Sequence, residues 1–188
     1  LRNRVIIFDF ETNGLRKSSV LSAGAVVCTI SQGKLCIEKL IDRYYYPKES
    51  FNTNAAAVHG ITPEIIASRR VEDYPKHFCD DPWVKEFFSQ PALFVAHNIS
   101  FDSSFLPVKL KHKFCTMRAN VDELKIPKGN GYKYPKLIET ANHYRIRLTN
   151  AKLHSAIYDC QVTLLVFAEM LKRKNKLLME AWRQYSGH

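Results

Sequence analysis

An α/β protein built on a single mixed β-sheet, with helices over both faces, is the architecture this sequence predicts. Three features carry the expectation. The first strand, within "RVIIFDFE", is apolar on both faces, the mark of a central strand covered on both sides. Two runs rich in β-branched and aromatic residues, "VLSAGAVVCTI" and "KLCIEKLIDRYYYP", follow it as a meander. Beyond them, short apolar runs alternate with helical patterns.

Taken in order, residues 4–11 form the first strand, and the "SQGK" turn joins the second and third strands as a hairpin. "TNAAAVHGIT" opens a helical or irregular region, and "DPWVKEFFSQ" is an amphipathic helix with Pro82 in its first turn. "ALFVAHN" is a short buried strand, "FDSSFLPVKL" starts a helix, and "KFCTM" is a fifth strand. "YPKLIETANHYRI" is a helix with Pro135 near its start. The clearest helix is "SAIYDCQVTLLVFAEMLKRKN", where Ile157, Cys160, Leu164, Phe167, Ala168 and Leu171 recur at helical spacing. The triple tyrosine Tyr44–Tyr46 reads as strand packing, and "KRKNK" as the solvated end of that helix.

The 188 residues suit one domain, 1–188, with a basic helix at 173–188. With 46% apolar and 24% charged residues, the composition excludes disorder. No apolar run reaches the roughly 18–20 residues needed to span a bilayer. No signal peptide is recognisable, although a sequence opening at Leu1 makes that weak evidence of location. Five scattered cysteines without a CxxC pair read as reduced, mostly packed thiols, in keeping with the cytoplasm. The net charge of +10 is uneven: residues 1–104 carry 12 basic and 12 acidic side chains, residues 105–188 carry 16 and 6. A basic half suits a polyanion such as nucleic acid, or serves only solubility.

Two acids at the end of an apolar strand need an explanation. Residues two apart on a strand share a face, so Asp9 and Glu11 lie together with Val5 and Ile7, about 6.5–7 Å from each other. "HNISFD" places His97, Asn98 and Asp102 after a buried strand, and "HSAIYD" places His154 and Asp159 at the start of the long helix. At an effective dielectric near 20, two like charges about 4 Å apart repel by about 4 kcal/mol. Four carboxylates in one cleft therefore either hold protons or attract cations. Oxygen donors without thiolates favour Mg²⁺ or Mn²⁺, and two such ions form the usual clamp on a phosphodiester. Positions 154 and 159 on one helix would lie about 140° apart, so His154 belongs on the preceding loop, with Ser155 as N-cap. There, a neutral imidazole suits a general base.

"FDFET", "HNISFD" and "HSAIYD", in that order, resemble the three motifs of the DEDDh exonucleases, and "AAAVHGIT" resembles that family's linking segment. The resemblance covers about residues 4–172. It implies a ribonuclease H-like fold with about five strands, two divalent cations, and 3′→5′ hydrolysis of nucleic acid to nucleoside monophosphates. Carried over, Asp9, Glu11, Asp102 and Asp159 hold the metals and His154 is the base. Thr12 meets the terminal 3′-hydroxyl through its backbone, Leu15 wedges beside the last base, and His59 lies near the terminal nucleotide. Asn54 stands where epsilon-like members often carry an acid, which leaves a sugar contact open.

The implied partners are single-stranded 3′ ends, of DNA first and of RNA as the alternative, and a DNA polymerase or other nucleic-acid-processing complex. A binding module whose catalysis has lapsed is the rival from another class. His97 reads as a residue that positions Asp102; His77, His112, His143 and His188 read as surface residues. "KIPKGNGYKYPK" is either a loop that guides a strand or a solvated connection.

Overall fold

The computed structural model describes residues 3–15, 17–70, 73–148 and 155–187. Five strands form the main sheet: β1 (Arg4–Thr12), β2 (Val20–Ser31), β3 (Lys34–Tyr44), β4 (Leu93–Ala96) and β5 (Lys113–Cys115), in the order β3-β2-β1-β4-β5. The first three make an antiparallel meander, and β4 and β5 add in parallel beside β1. The sheet is mixed, as the sequence predicts. Gln32 and Gly33 turn the β2–β3 hairpin with φ of 49° and 74°, the left-handed pair that a tight two-residue turn requires.

The helices are α1 (Thr53–His59), α2 (Pro63–Arg69), α3 (Pro82–Phe88), α4 (Ile99–Asp102), α5 (Thr116–Ala119), α6 (Val121–Leu124), α7 (Leu137–His143), α8 (Ala156–Lys172) and α9 (Lys176–Ser186). Alternation along β1 decides which core each residue enters. Val5 and Ile7 pack with Val26, Val95, Cys160, Val166 and Phe167, beneath α7, α8 and α9. Ile6, Phe8 and Phe10 pack on the other face with Phe78, Phe87, Phe88 and Phe94. Phe8 meets Phe88 edge-on at 5.0 Å between centroids, a preferred aromatic geometry. Both faces of β1 are closed, so a carboxylate on it must emerge at its end.

The second core is fastened to β3 by a buried ion pair. Arg43 Nη1 lies 2.8 Å from Asp81 Oδ2, which also accepts from the Tyr45 hydroxyl at 2.8 Å. Asp81 Oδ1 caps α3 through the Trp83 N–H at 3.0 Å. Tyr45 is fully buried, in line with the packing role read for the triple tyrosine.

Several expectations are corrected. The helix read at "FDSSFLPVKL" begins earlier, at Ile99, and ends in a 3₁₀ turn at Phe105, because Pro107 cannot continue it. "KRKNK" is a break between two helices: α8 ends at Lys172, Lys174 has φ 53°, and the Asn175 side chain caps α9 through the Leu178 N–H at 3.1 Å. The helix read at 173–188 runs as α9 from Lys176 and buries Leu178 and Tyr185. Of the five thiols only Cys28 and Cys160 are buried, while Cys36 and Cys79 are exposed. His77 bonds the Tyr46 carbonyl at 2.8 Å, and His112 packs on Tyr185 at 5.3 Å, so neither is a plain surface residue. His143 pairs with Glu123 at 3.2 Å, and His188 lies outside the described residues. Among the described residues no helix is long and apolar enough to cross a membrane.

Candidate active site

The acids of β1 emerge on the α8 side of the sheet. Asp9 and Glu11 continue the face of Val5 and Ile7, and α8 crosses that face with Asp159 in its first turn. Ser155 occupies the N-cap position, as read from the sequence, although its side chain makes no capping bond. Asp159 thus stands near helix N–H groups that favour negative charge. Carboxylate oxygens of Asp9, Glu11 and Asp159 all lie within 4.8 Å of one another.

Asp102 joins from the other side of β1. The pairing of β1 with β4 runs over Val5–Ile7, and past it the Phe10 N–H donates to Asp102 Oδ1 at 3.1 Å. Asp102 is 2% exposed, and among neighbouring charges it contributes most to the environment of Asp9. Its position depends on a sharp turn after β4, where Asn98 adopts the left-handed conformation (φ 77°). Asparagine tolerates that geometry better than most residues.

The electrostatic consequence is strong. Burial, then the charges of Asp102, Glu11 and Asp159, pushes the Asp9 carboxyl well above the usual range. Burial, with Asp159 and Asp102, raises Glu11 to about 8. Burial raises Asp102 to about 7, against the lowering effect of the Phe10 N–H. Without a cation the cluster holds protons at neutral pH. The all-oxygen donor set, with carboxylate oxygens of three acids gathered within 4.8 Å, fits a hard ion such as Mg²⁺ or Mn²⁺.

Gly24 is the residue the sequence reading missed. It faces Asp9 across the β1–β2 ladder, and a Cβ there would come within 2.5 Å of the Ala156 and Ile157 backbone. Only glycine lets the start of α8 lie against the sheet, where Asp159 reaches the other acids. A bulge between Glu11 and Thr12 lies at the same place, the sort of irregularity that re-aims side chains beside a site.

The remaining residues divide. Leu15, 82% exposed, projects from the β1–β2 loop. That loop is clamped by Glu49, which accepts from the Ser19 N–H at 2.8 Å and the Ser19 hydroxyl at 2.6 Å, and by buried Asn13, which donates to Glu49 at 3.0 Å. Partial burial tends to raise Glu49, but the bonds from Ser19 and Asn13 outweigh it and hold the carboxyl at about 2. His59 Nε2 donates to the Thr12 carbonyl at 3.2 Å, and its Nδ1 accepts from the Ile61 N–H at 3.0 Å. The Thr12 backbone and His59 therefore meet beside the acids. Asn54 is exposed on α1, its N–H taken by the Asn52 side chain. His97 donates from Nε2 to the Pro135 carbonyl and accepts at Nδ1 from the Thr116 hydroxyl, both at 3.0 Å. Burial drops its pKa to about 4, so it stays neutral. His154 lies outside the described residues.

This geometry is that of an exonuclease of the DEDD class. A family model for exonucleases, RNase_T, matches residues 6–167, and the chain belongs to that family. Among curated proteins, the PolC-type DNA polymerase III of Staphylococcus saprophyticus is 28% identical over 179 residues. That match takes in 92% of this chain and 12% of the polymerase. The Staphylococcus aureus (strain bovine RF122) counterpart is 27% identical with the same coverage. The chain thus spans about 12% of the length of the curated relatives it matches. Among solved structures, Exonuclease X in complex with 5′ overhanging duplex DNA superposes with a TM-score of 0.63 at 23% identity, covering 90% of this chain and 92% of that one. E. coli Exonuclease I in complex with a dA16 oligonucleotide gives 0.68 at 14% identity, covering 97% and 43%. These two establish the shared fold.

Proposed function

We propose that this chain, as one exonuclease domain over residues 1–188, hydrolyses the terminal phosphodiester at the 3′ end of single-stranded DNA and releases nucleoside 5′-monophosphates. The observation that carries the reading is the convergence of Asp9, Glu11 and Asp159, with Asp102 alongside, at the end of a doubly covered strand. A polar cluster kept half-buried at such cost in protonation is the signature of a working site.

Asp9, Glu11, Asp102 and Asp159 would together hold two divalent cations. When bound, such ions, Mg²⁺ or Mn²⁺, would supply activation of the attacking water and stabilisation of the leaving oxygen. The protein's own part is to fix the reacting end. The Thr12 backbone, steadied by His59, would receive the terminal 3′-hydroxyl, and Leu15 would separate the last base from its neighbour. His154, immediately before the N-cap Ser155 in sequence, would take the proton from the water, as in the His-bearing branch of the family. The relatives named for DNA polymerase, and the neighbours solved with DNA, support DNA as substrate and a DNA-processing complex as partner. Five free thiols suit work in the reducing cytoplasm.

The test is degradation of 5′-labelled single-stranded DNA and RNA, side by side, with Mn²⁺ or EDTA. A metal-dependent ladder shortening from the 3′ end, faster on DNA, is expected. Internal cuts, or turnover in EDTA, would refute the reading, and a faster RNA ladder would refute the choice of sugar.

A further inference from the structure

The segment 125–136 is neither a loose loop nor a plain connection. It folds into a two-stranded hairpin, β6 (Pro127–Lys128) and β7 (Gly131–Tyr132), with Gly129 at φ 55° in the turn. Its base is closed by the Lys133 N–H on the Ile126 carbonyl at 2.9 Å and by the Lys133 ammonium on Glu139 of α7. Just past that base the chain is tied to the turn after β4, because the Pro135 carbonyl accepts from His97. Ile7 pairs with Val95 in the parallel ladder, and β4 ends one residue later at Ala96, directly before His97. The downstream flank of the hairpin is therefore anchored beside β4, at the end of the sheet where β1 carries the acids.

What it displays there is unusual for a solvated turn. Tyr132 is 49% exposed and Tyr134 59% exposed. Lys125 and Lys128 are exposed too and make no ion pair with a described residue, and exposed Lys136 adds its charge near Glu139 of α7. Cations tracking phosphates beside aromatic faces that stack on bases form the chemistry of a single-strand platform.

We propose that the β6–β7 hairpin is the track for the strand upstream of the scissile phosphate, with Lys125, Lys128 and Lys136 along its phosphates and Tyr132 and Tyr134 against its bases. This rests on the exonuclease reading for its direction, but its binding test does not depend on turnover. Binding of a 5′-fluorescent dT12 is followed by anisotropy in EDTA, for the whole chain and two variants. Tyr132→Ala/Tyr134→Ala weakens binding about tenfold or more. Lys128→Gln/Lys136→Gln makes the slope of log K against log salt shallower by about 1.4, or 0.7 per phosphate contact. Both variants keep the wild-type melting temperature, and both hydrolyse the p-nitrophenyl ester of thymidine 5′-monophosphate with Mn²⁺ at the wild-type rate, because that ester reaches only the acids. Binding within twofold of wild type with an unchanged slope overturns the proposal, as does a parallel loss on the small ester. A wild-type chain inert on the ester, with the binding losses present, overturns the exonuclease reading and leaves the track standing.

Discussion

Asp9 and Gly24 are cross-strand partners, and that pairing decides where α8 can begin. The hydrogen in place of a side chain at Gly24 brings the Ala156–Ile157 backbone down onto the sheet, and one turn into the helix Asp159 meets Asp9 and Glu11. The acid cluster thus depends on an atom that is missing from the sequence's chemistry.

Gly24→Ala tests this directly. Its methyl group must push rigid backbone away, so the helix start lifts and Asp159 leaves the cluster. Overpacking costs about 1–3 kcal/mol. Exonuclease activity is expected to fall at least tenfold while the far-ultraviolet spectrum stays that of the wild type. Full activity would mean that the helix start is free to shift.

Glu11→Gln is expected to abolish turnover yet stabilise the metal-free protein. The raised Glu11 carboxyl is ionised only against burial and the charges of Asp159 and Asp102. An amide removes that cost, by about 1–3 kcal/mol at pH 8.5. Denaturant melts in EDTA check the sign; a less stable variant would mean the carboxylates do not repel.

The same shifts fix a pH dependence. In the unfolded chain these carboxyls lose their protons near pH 4, whereas in the folded chain Asp102 keeps its proton to about 7 and Glu11 to about 8. Between those limits the folded state binds more protons, so the stability of the metal-free protein falls as pH rises from about 4 to 8. Saturating Mn²⁺ replaces the protons, and its stabilising effect is larger at pH 8 than at pH 5. Thermal melts over that range, with and without Mn²⁺, are the measurement; a metal effect independent of pH would contradict it.

Leu15→Ala should leave the melting temperature within about one degree, since an exposed side chain contributes little to stability. It should slow digestion of paired 3′ ends several-fold more than of single-stranded ends, because a wedge matters where a base must be parted. Equal slowing on both substrates would remove Leu15 from that role.

The parts of this fold legible in the sequence are those with a period. Alternation along β1 put Asp9 and Glu11 on one face, and helical spacing from Ile157 to Leu171 put Asp159 at the start of α8. Contacts between distant segments were not legible: the bond from Phe10 to Asp102 joins residues 92 apart. Gly24 carries no pattern, and a glycine inside a strand was the one available hint of a close backbone approach. The β6–β7 hairpin has strands too short for alternation, so the glycines at 129 and 131 were its only signal. The end of α8 was legible in the basic run at 172–176, but not the left-handed Lys174 or the Asn175 cap that starts α9.

The four acids of the cluster give up their protons together only around divalent cations. Calorimetric titration of the metal-free protein with Mn²⁺ at pH 8 tests it most directly. The expected result is uptake of two ions with release of protons, cut to one or none in Asp9→Asn. No uptake by the wild type, or the same uptake by Asp9→Asn, would contradict the account.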